Sequence, residues 1–147
     1  LLLSIRSDAL WLNATVENLL AITKLEGGGM RLSTTLELMD DIVEEALRHV
    51  NPAVREHDLK VDDGRVACSV ADDGPGIAPE DRERIFESFY TANHGLADSH
   101  RSVGLGLSLC RSIALAHGGS IEVAAADPHG SVFTIELPAA DISFDKE

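Results

Sequence analysis

The chain has 147 residues, enough for one domain of ordinary size with an appendage. Apolar residues make up 44% and aromatics only 4%, so the core must be built from aliphatic side chains. With 12 Lys+Arg against 25 Asp+Glu the net charge is -13, which argues against binding nucleic acid or an anionic membrane by bulk electrostatics. The acidity also opposes a polyanionic ligand, but it is not uniform. Residues 88–121 hold a single acid, Asp98, against Arg101 and Arg111, with His94, His100 and His117 beside them. A phosphate site belongs in that island if anywhere.

Two cysteines, Cys68 and Cys110, make no disulfide framework at this length, and a reducing compartment is expected. Arg111 and Ser112 interrupt the longest apolar stretch, so no membrane span is expected. No basic segment followed by a cleavage site marks a signal peptide. The chain opens at Leu1, inside a periodic pattern and without Met, which reads as a fragment of something longer.

Leu2, Ile5, Ala9, Leu12, Val16 and Leu19 form a heptad seam on a helix that Gly27-Gly28-Gly29 ends, with a partner helix or a second copy expected on the seam. Met39, Ile42, Val43, Ala46, Leu47 and Val50 share one face of a second helix, stopped by Asn51-Pro52. Leu59–Val61 reads as a short strand, Asp62-Asp63-Gly64 as a turn, and 65–71 as a strand with Val66, Cys68 and Val70 on one face. Pro79, Glu80 and Asp81 open a third helix, whose spacing of Ile85, Phe86 and Phe89 suggests core packing. The polar stretch from Tyr90 to Val103 reads as a loop. A fourth helix follows Gly104 and Gly106 and runs to about His117, with Gly118-Gly119 as its stop. Ile121 and Val123 begin a strand, Asp127-Pro128-His129-Gly130 turns, and Phe133, Ile135 and Leu137 alternate in a last strand ended by Pro138. Helices mixed with antiparallel hairpins point to an α+β layer architecture.

Two glycine stretches carry the chemistry. Asp72-Asp73-Gly74-Pro75-Gly76-Ile77 follows a strand directly, so Asp72 can accept a hydrogen bond from an exocyclic amine while Gly74 and Gly76 admit a flat ring close to the backbone. A plain turn explains the same residues. Gly104-Leu105-Gly106-Leu107 opens a helix, where bare backbone N–H groups make an anion site; simple helix capping is the alternative. Neither stretch is a Walker loop or a dinucleotide fingerprint, because neither carries G-K-[ST] or the third glycine. No Cys/His spacing suggests zinc, and no catalytic residue stands out.

In combination, D-x-G-x-G-I, then R-I-F-x-x-F-Y from Arg84 to Tyr90, a polar loop, G-L-G-L and His117-Gly118-Gly119 resemble the ATP-binding domain of sensor histidine kinases over residues 62–140. The superfamily is shared with gyrase, the mismatch-repair ATPases and the large heat-shock chaperone. Leu2 to Leu25, with E-N-L-L-A-I-T-K-L, resembles the second helix of the dimerisation and phosphotransfer hairpin of those kinases. The wording of Tyr90–Cys110 is most similar to the potassium-responsive Kdp-type sensors. The resemblance implies a two-layer α/β sandwich of Bergerat type (residues 30–147) preceded by one long hairpin helix (1–29). It also implies ATP and Mg²⁺ as cofactors, a homodimer through the first helix, and a response regulator as partner. The location would be cytoplasmic, as the soluble part of a membrane-bound bacterial sensor. Asp72, Gly74, Gly76 and Ile77 would serve the adenine; Phe86, Phe89 and Tyr90 would anchor a lid over 91–103 that carries Arg101; Gly104, Leu105, Gly106 and Leu107 would serve the phosphates.

Three departures from the family pattern stand out. The N-box, a helix whose Glu and Asn residues hold Mg²⁺, should lie between Leu59 and Asp72, where the chain has room only for a hairpin; a helix with its flanks would need roughly 40 more residues. None of the six His sits in the acceptor context, so the phosphoacceptor would lie outside this chain. Ser102 stands where the second glycine box usually opens with Gly, and Thr91 replaces a common basic residue. Two other readings remain: a nucleotide-binding or docking module without catalysis, and a dimerisation module with incidental glycines.

Overall fold

The computed structural model describes residues 2–27, 33–48, 56–91 and 103–140. Gly28, Gly29, His49, Val50, Asn51, Pro52, His94, His100, Arg101, Ser102 and most of the expected lid lie outside them. The chain divides into two compact units, one comprising Leu1–Arg31 with Ala78–Ala116 and the other Leu32–Ile77 with His117–Glu147.

The first unit is helical. Helix α1 (Leu2–Glu26) is 25 residues long and carries Lys24 in its last turn, where a cation complements the exposed carbonyls. Gly27 closes it by donating its N–H to the Thr23 carbonyl at 3.0 Å. Three of the heptad residues lie exposed: Leu12, Val16 and Leu19 at 57%, 47% and 40%. A second stripe, Thr15, Asn18, Ile22 and Leu25, is the covered one, with Ile22 only 3% exposed. Stripes at the 3–4 spacing on two flanks of one helix allow it to serve two neighbours. The neighbour within the unit is the later helix 106–116, against which α1 packs.

The segment expected to be a third helix is instead two single turns of 3-10 helix, Pro79–Asp81 and Arg84–Phe86. Ile85 and Phe86 are buried as the spacing requires, but Phe89 is 61% exposed. Glu87 is extended at ψ 140 and Phe89 takes a left-handed φ of 68, so the chain has left the helical path before Phe89 can share its face. The expected core role of Phe89 is therefore corrected.

The second unit holds helix α2 (Met39–Arg48) and a four-stranded sheet formed by β1 (Glu56–Asp62), β2 (Arg65–Ala71), β3 (Ser120–Ala125) and β4 (Ser131–Pro138). Strand β1 is longer than the three residues the sequence suggested. The order is β1-β2-β4-β3, with every pair antiparallel. Asp62 pairs with Arg65 across a two-residue turn in which Asp63 and Gly64 have φ of 44 and 73. Two positive φ values match the right-handed strand twist, which is why Asp-Gly suits this turn. The N–H of Ala139 donates to the Gly64 carbonyl at 2.8 Å and ties the turn to the end of β4.

The register places Leu59, Cys68, Ile135 and Ile121 in one row, and Val70, Phe133 and Val123 in the next, on a single apolar face. The opposite face is polar: Ser69 and Thr134 hydroxyls bond at 2.9 Å, and Arg65 pairs with Glu136. In α2, Met39, Val43 and Leu47 form the half-buried stripe; Asp40 and Asp41 occupy the first turn, and Arg48 in the last bonds Glu45 at 2.7 Å.

Candidate functional site

The two glycine stretches fall in different units. Asp72 continues β2 by one step, its N–H donating to the Ser131 carbonyl at 2.9 Å. One oxygen of its exposed carboxylate, Oδ1, accepts the Gly74 N–H at 2.8 Å, which fixes the side chain over its own turn. An ionised carboxylate offers about four lone-pair positions, so an incoming amine still finds acceptors there. Gly76, at φ 77, comes so near the β3–β4 turn that a Cβ would stand 3.1 Å from the Gly130 carbonyl oxygen. Gly130, at φ 105, backs directly onto the Asp72 carbonyl; a Cβ there would also lie 2.8 Å from the Asp72 carbonyl carbon. The D-x-G-x-G turn is thus held from behind by Gly130 and Ser131. Ile77 is half-buried at its end.

Gly130 and Ser131 are supports of the Asp72 turn that the sequence did not single out. Their only local signal was a turn glycine ahead of an alternating strand, with nothing pointing to Asp72, about sixty residues earlier.

In the helical unit, helix α3 (Gly106–Ala116) starts at the second glycine stretch and is followed by Gly118 at φ 74, a left-handed stop. Gly104, at φ 71, is pressed against the backbone of Phe89 and Tyr90: a Cβ would lie 2.9 Å from both carbonyl carbons. The Phe89 N–H donates to the Gly104 carbonyl at 3.0 Å. Leu105 is buried, whereas Gly106 is exposed, with nothing within 4 Å of where a Cβ would stand. Leu107 is half-buried on α3. The buried Ser108 hydroxyl is satisfied by the Leu105 carbonyl at 3.0 Å.

A cleft of about 190 Å³ lies over this helix start, walled by Val103–Gly106 and by Trp11, Ala14, Thr15 and Asn18 of α1. Small-molecule pockets usually exceed about 300 Å³.

Tyr90 does not stand free. Its hydroxyl donates to Asp81 Oδ1 at 2.6 Å, and the Arg84 guanidinium carbon sits 4.4 Å from its ring centroid. The bond to Asp81, then burial, push the phenol above its ordinary value, against the opposing pull of Arg84. Burial likewise raises the thiols of Cys68 and Cys110. Among the described residues no group of three His, Cys, Asp or Glu could hold a metal ion. The hairpin from Glu56 to Ala71 leaves no helix between Leu59 and Asp72.

Residues 27–141 match the family model described as Histidine kinase-, DNA gyrase B-, and HSP90-like ATPase, and the chain belongs to that family. Its relatives include the sensor protein KdpD of Clostridium acetobutylicum, 28% identical over 91% of this chain and 20% of that protein. The sensor protein RstB of Escherichia coli is 34% identical over 88% of this chain and 32% of that protein. The chain thus spans about a fifth to a third of the length of these relatives. In fold it is similar to full-length ShkA, solved in complex with AMPPNP, with a TM-score of 0.77 at 22% identity over 96% of this chain and 38% of that one. The Acinetobacter baumannii histidine kinase AdeS gives 0.72 at 20% identity, over 94% of this chain and 83% of that one.

Proposed function

We propose that this chain is the ATP-binding portion of a two-component sensor histidine kinase, presenting the ATP γ-phosphate to a His on a dimerisation hairpin outside the chain. The observation that carries the reading is the Asp72 turn. A carboxylate at a strand end, held by its own Gly74 N–H and braced by Gly130, is preorganised for an exocyclic amine. Asp72, Gly74, Gly76 and Ile77 form the adenine side. Gly104, Leu105, Gly106 and Leu107 form the phosphate side, with Arg101 joining from outside the described residues. Tyr90 anchors the loop that follows it.

Residues 30–147 form the nucleotide-binding domain, and residues 1–29 belong to the hairpin, where the exposed Leu12, Val16 and Leu19 seam meets a second copy. A response regulator would receive the phosphoryl group. No described helix is long and apolar enough to cross a membrane, in keeping with a domain carried on the cytoplasmic side of a sensor.

The family's Mg²⁺ ligands would sit on an N-box helix that has no counterpart here. The alignment with KdpD runs over 177 positions, longer than the whole 147-residue chain, so that relative carries a stretch with no equivalent. This favours a second reading: a nucleotide-binding or docking module that keeps the fold without phosphoryl transfer. Titration calorimetry of ATP and adenosine into wild type and Asp72→Ala tests the site, and incubation with radiolabelled ATP tests transfer. Binding lost on Asp72→Ala supports the site, while equal affinity of the two proteins refutes it. Label appearing on a separately supplied dimerisation hairpin that carries the acceptor His refutes the docking reading.

A further inference from the structure

We propose that Asp81 is a positioning residue for the phosphate-side glycines, acting through Tyr90; this rests on the nucleotide reading above. The chain of contacts is short and continuous. Asp81 closes the first 3-10 turn and accepts the Tyr90 hydroxyl at 2.6 Å. Arg84, on the second 3-10 turn, covers the Tyr90 ring at 4.4 Å, so the side chain is held at its tip and on its face. The backbone of Tyr90 and of Phe89 forms the wall against which Gly104 is packed, and Phe89 donates its N–H to the Gly104 carbonyl at 3.0 Å.

Gly104 is displaced if that wall moves, because its carbonyl is bonded to the Phe89 N–H and its backbone, at a φ of 71, lies in direct contact with Phe89 and Tyr90. Two residues on, Gly106 begins α3, whose first N–H groups have no partner within the helix. Their aim is set by the joint at Gly104. One oxygen of the Asp81 carboxylate, Oδ1, is given to the phenol. Its effect is on the geometry of a donor cluster two links away, and catalytic or binding constellations tolerate only about half an ångström of such error.

The consequence is selective. Releasing Tyr90 should disturb the seat of the phosphates and leave the Asp72 turn, which is braced by Gly130 and Ser131, unaffected. Calorimetry of ATP and adenosine into the 147-residue chain and into Asp81→Ala, Asp81→Asn and Asp81→Ala/Tyr90→Phe reads this directly. Asp81→Ala should weaken ATP by roughly threefold to tenfold, the worth of one part-buried hydrogen bond of ordinary strength, with adenosine affinity unchanged. Asp81→Asn keeps an acceptor oxygen and should restore most of the ATP affinity. Adding Tyr90→Phe to Asp81→Ala should cost little more, because the two residues act as one unit. A parallel loss of ATP and adenosine in Asp81→Ala, or no loss of either, overturns the positioning role while the nucleotide reading stands. Wild-type chain that binds neither ligand overturns both.

Discussion

Gly130→Ala puts a methyl group where the Asp72 carbonyl now lies. The residue is buried, its φ of 105 is one that side-chain-bearing residues avoid, and the new Cβ would stand 2.8 Å from the Asp72 carbonyl carbon and 3.1 Å from the Asp73 Cα. The dihedral alone costs about 1–2 kcal/mol. Forcing two backbone segments apart adds about 1–3 kcal/mol, and strains the Asp72 N–H bond to Ser131 besides. A total near 3 kcal/mol corresponds to a fall in Tm of about 10 °C for a chain of this size. Gly64→Ala is the matched control: its φ is 73, yet nothing lies within 4 Å of the added methyl, so only the dihedral cost of about 1 kcal/mol applies. Thermal unfolding of both variants by circular dichroism isolates the clash, and adenosine titration at a temperature where Gly130→Ala is folded reads the displacement of Asp72. Gly130→Ala should be the less stable by several degrees and should bind adenosine more weakly. Equal melting temperatures would refute the close approach, and unaltered adenosine affinity would refute its bearing on Asp72.

The Tyr90 phenol is raised in the folded chain, so the folded state holds its proton to higher pH than the unfolded one. Its contribution is complete below about pH 10, the ordinary phenol value, and is lost as pH climbs through the raised one. Urea unfolding between pH 8 and 12 should therefore show the advantage of wild type over Tyr90→Phe shrinking at the alkaline end; an advantage that stays level would refute the bond to Asp81. On α1, Val16→Asp places a charge in the exposed seam without touching the Ile22 stripe. Sedimentation should show wild type dimerising with concentration and Val16→Asp remaining monomeric with the same helix content, and a dimer of undiminished affinity would refute the seam.

The sheet was largely legible because its signals are local. Asp63-Gly64 marks the turn that joins β1 to β2, and the alternation of Val66, Cys68 and Val70 marks the apolar face, whereas the pairing of β2 with Ile135 and Phe133 of β4 has no local signal. The 79–91 segment was misread because Ile85, Phe86 and Phe89 imitate a helical face, while nothing local records that Glu87 and Phe89 leave the helical path. Helix α1 hid its second stripe for a different reason. Thr15 and Asn18 are polar, so a search for apolar periodicity finds the Leu12–Val16–Leu19 seam and passes over the face that packs on α3. Of the candidate site, Asp72 and the glycines were named by their motifs, each with a plain turn or helix cap as the alternative. Their supports were not: Gly130 behind Asp72 and Asp81 behind Tyr90 are tertiary partners, and a turn glycine or an exposed-looking acid gives no hint of what it will meet.

The Asp63-Gly64 turn has a consequence for how this domain could be rebuilt. Asp62 and Arg65 are cross-strand partners, and the Ala139 bond to Gly64 holds the tip from the far side, so the two chain ends at the turn are a fixed, adjacent pair. Replacing two residues there by an unstructured loop of roughly 40 would cost only about 2.7 kcal/mol in closure entropy. The tip is therefore a natural graft point. An entire helix can be spliced in or excised at that joint while every strand of the sheet keeps its neighbours.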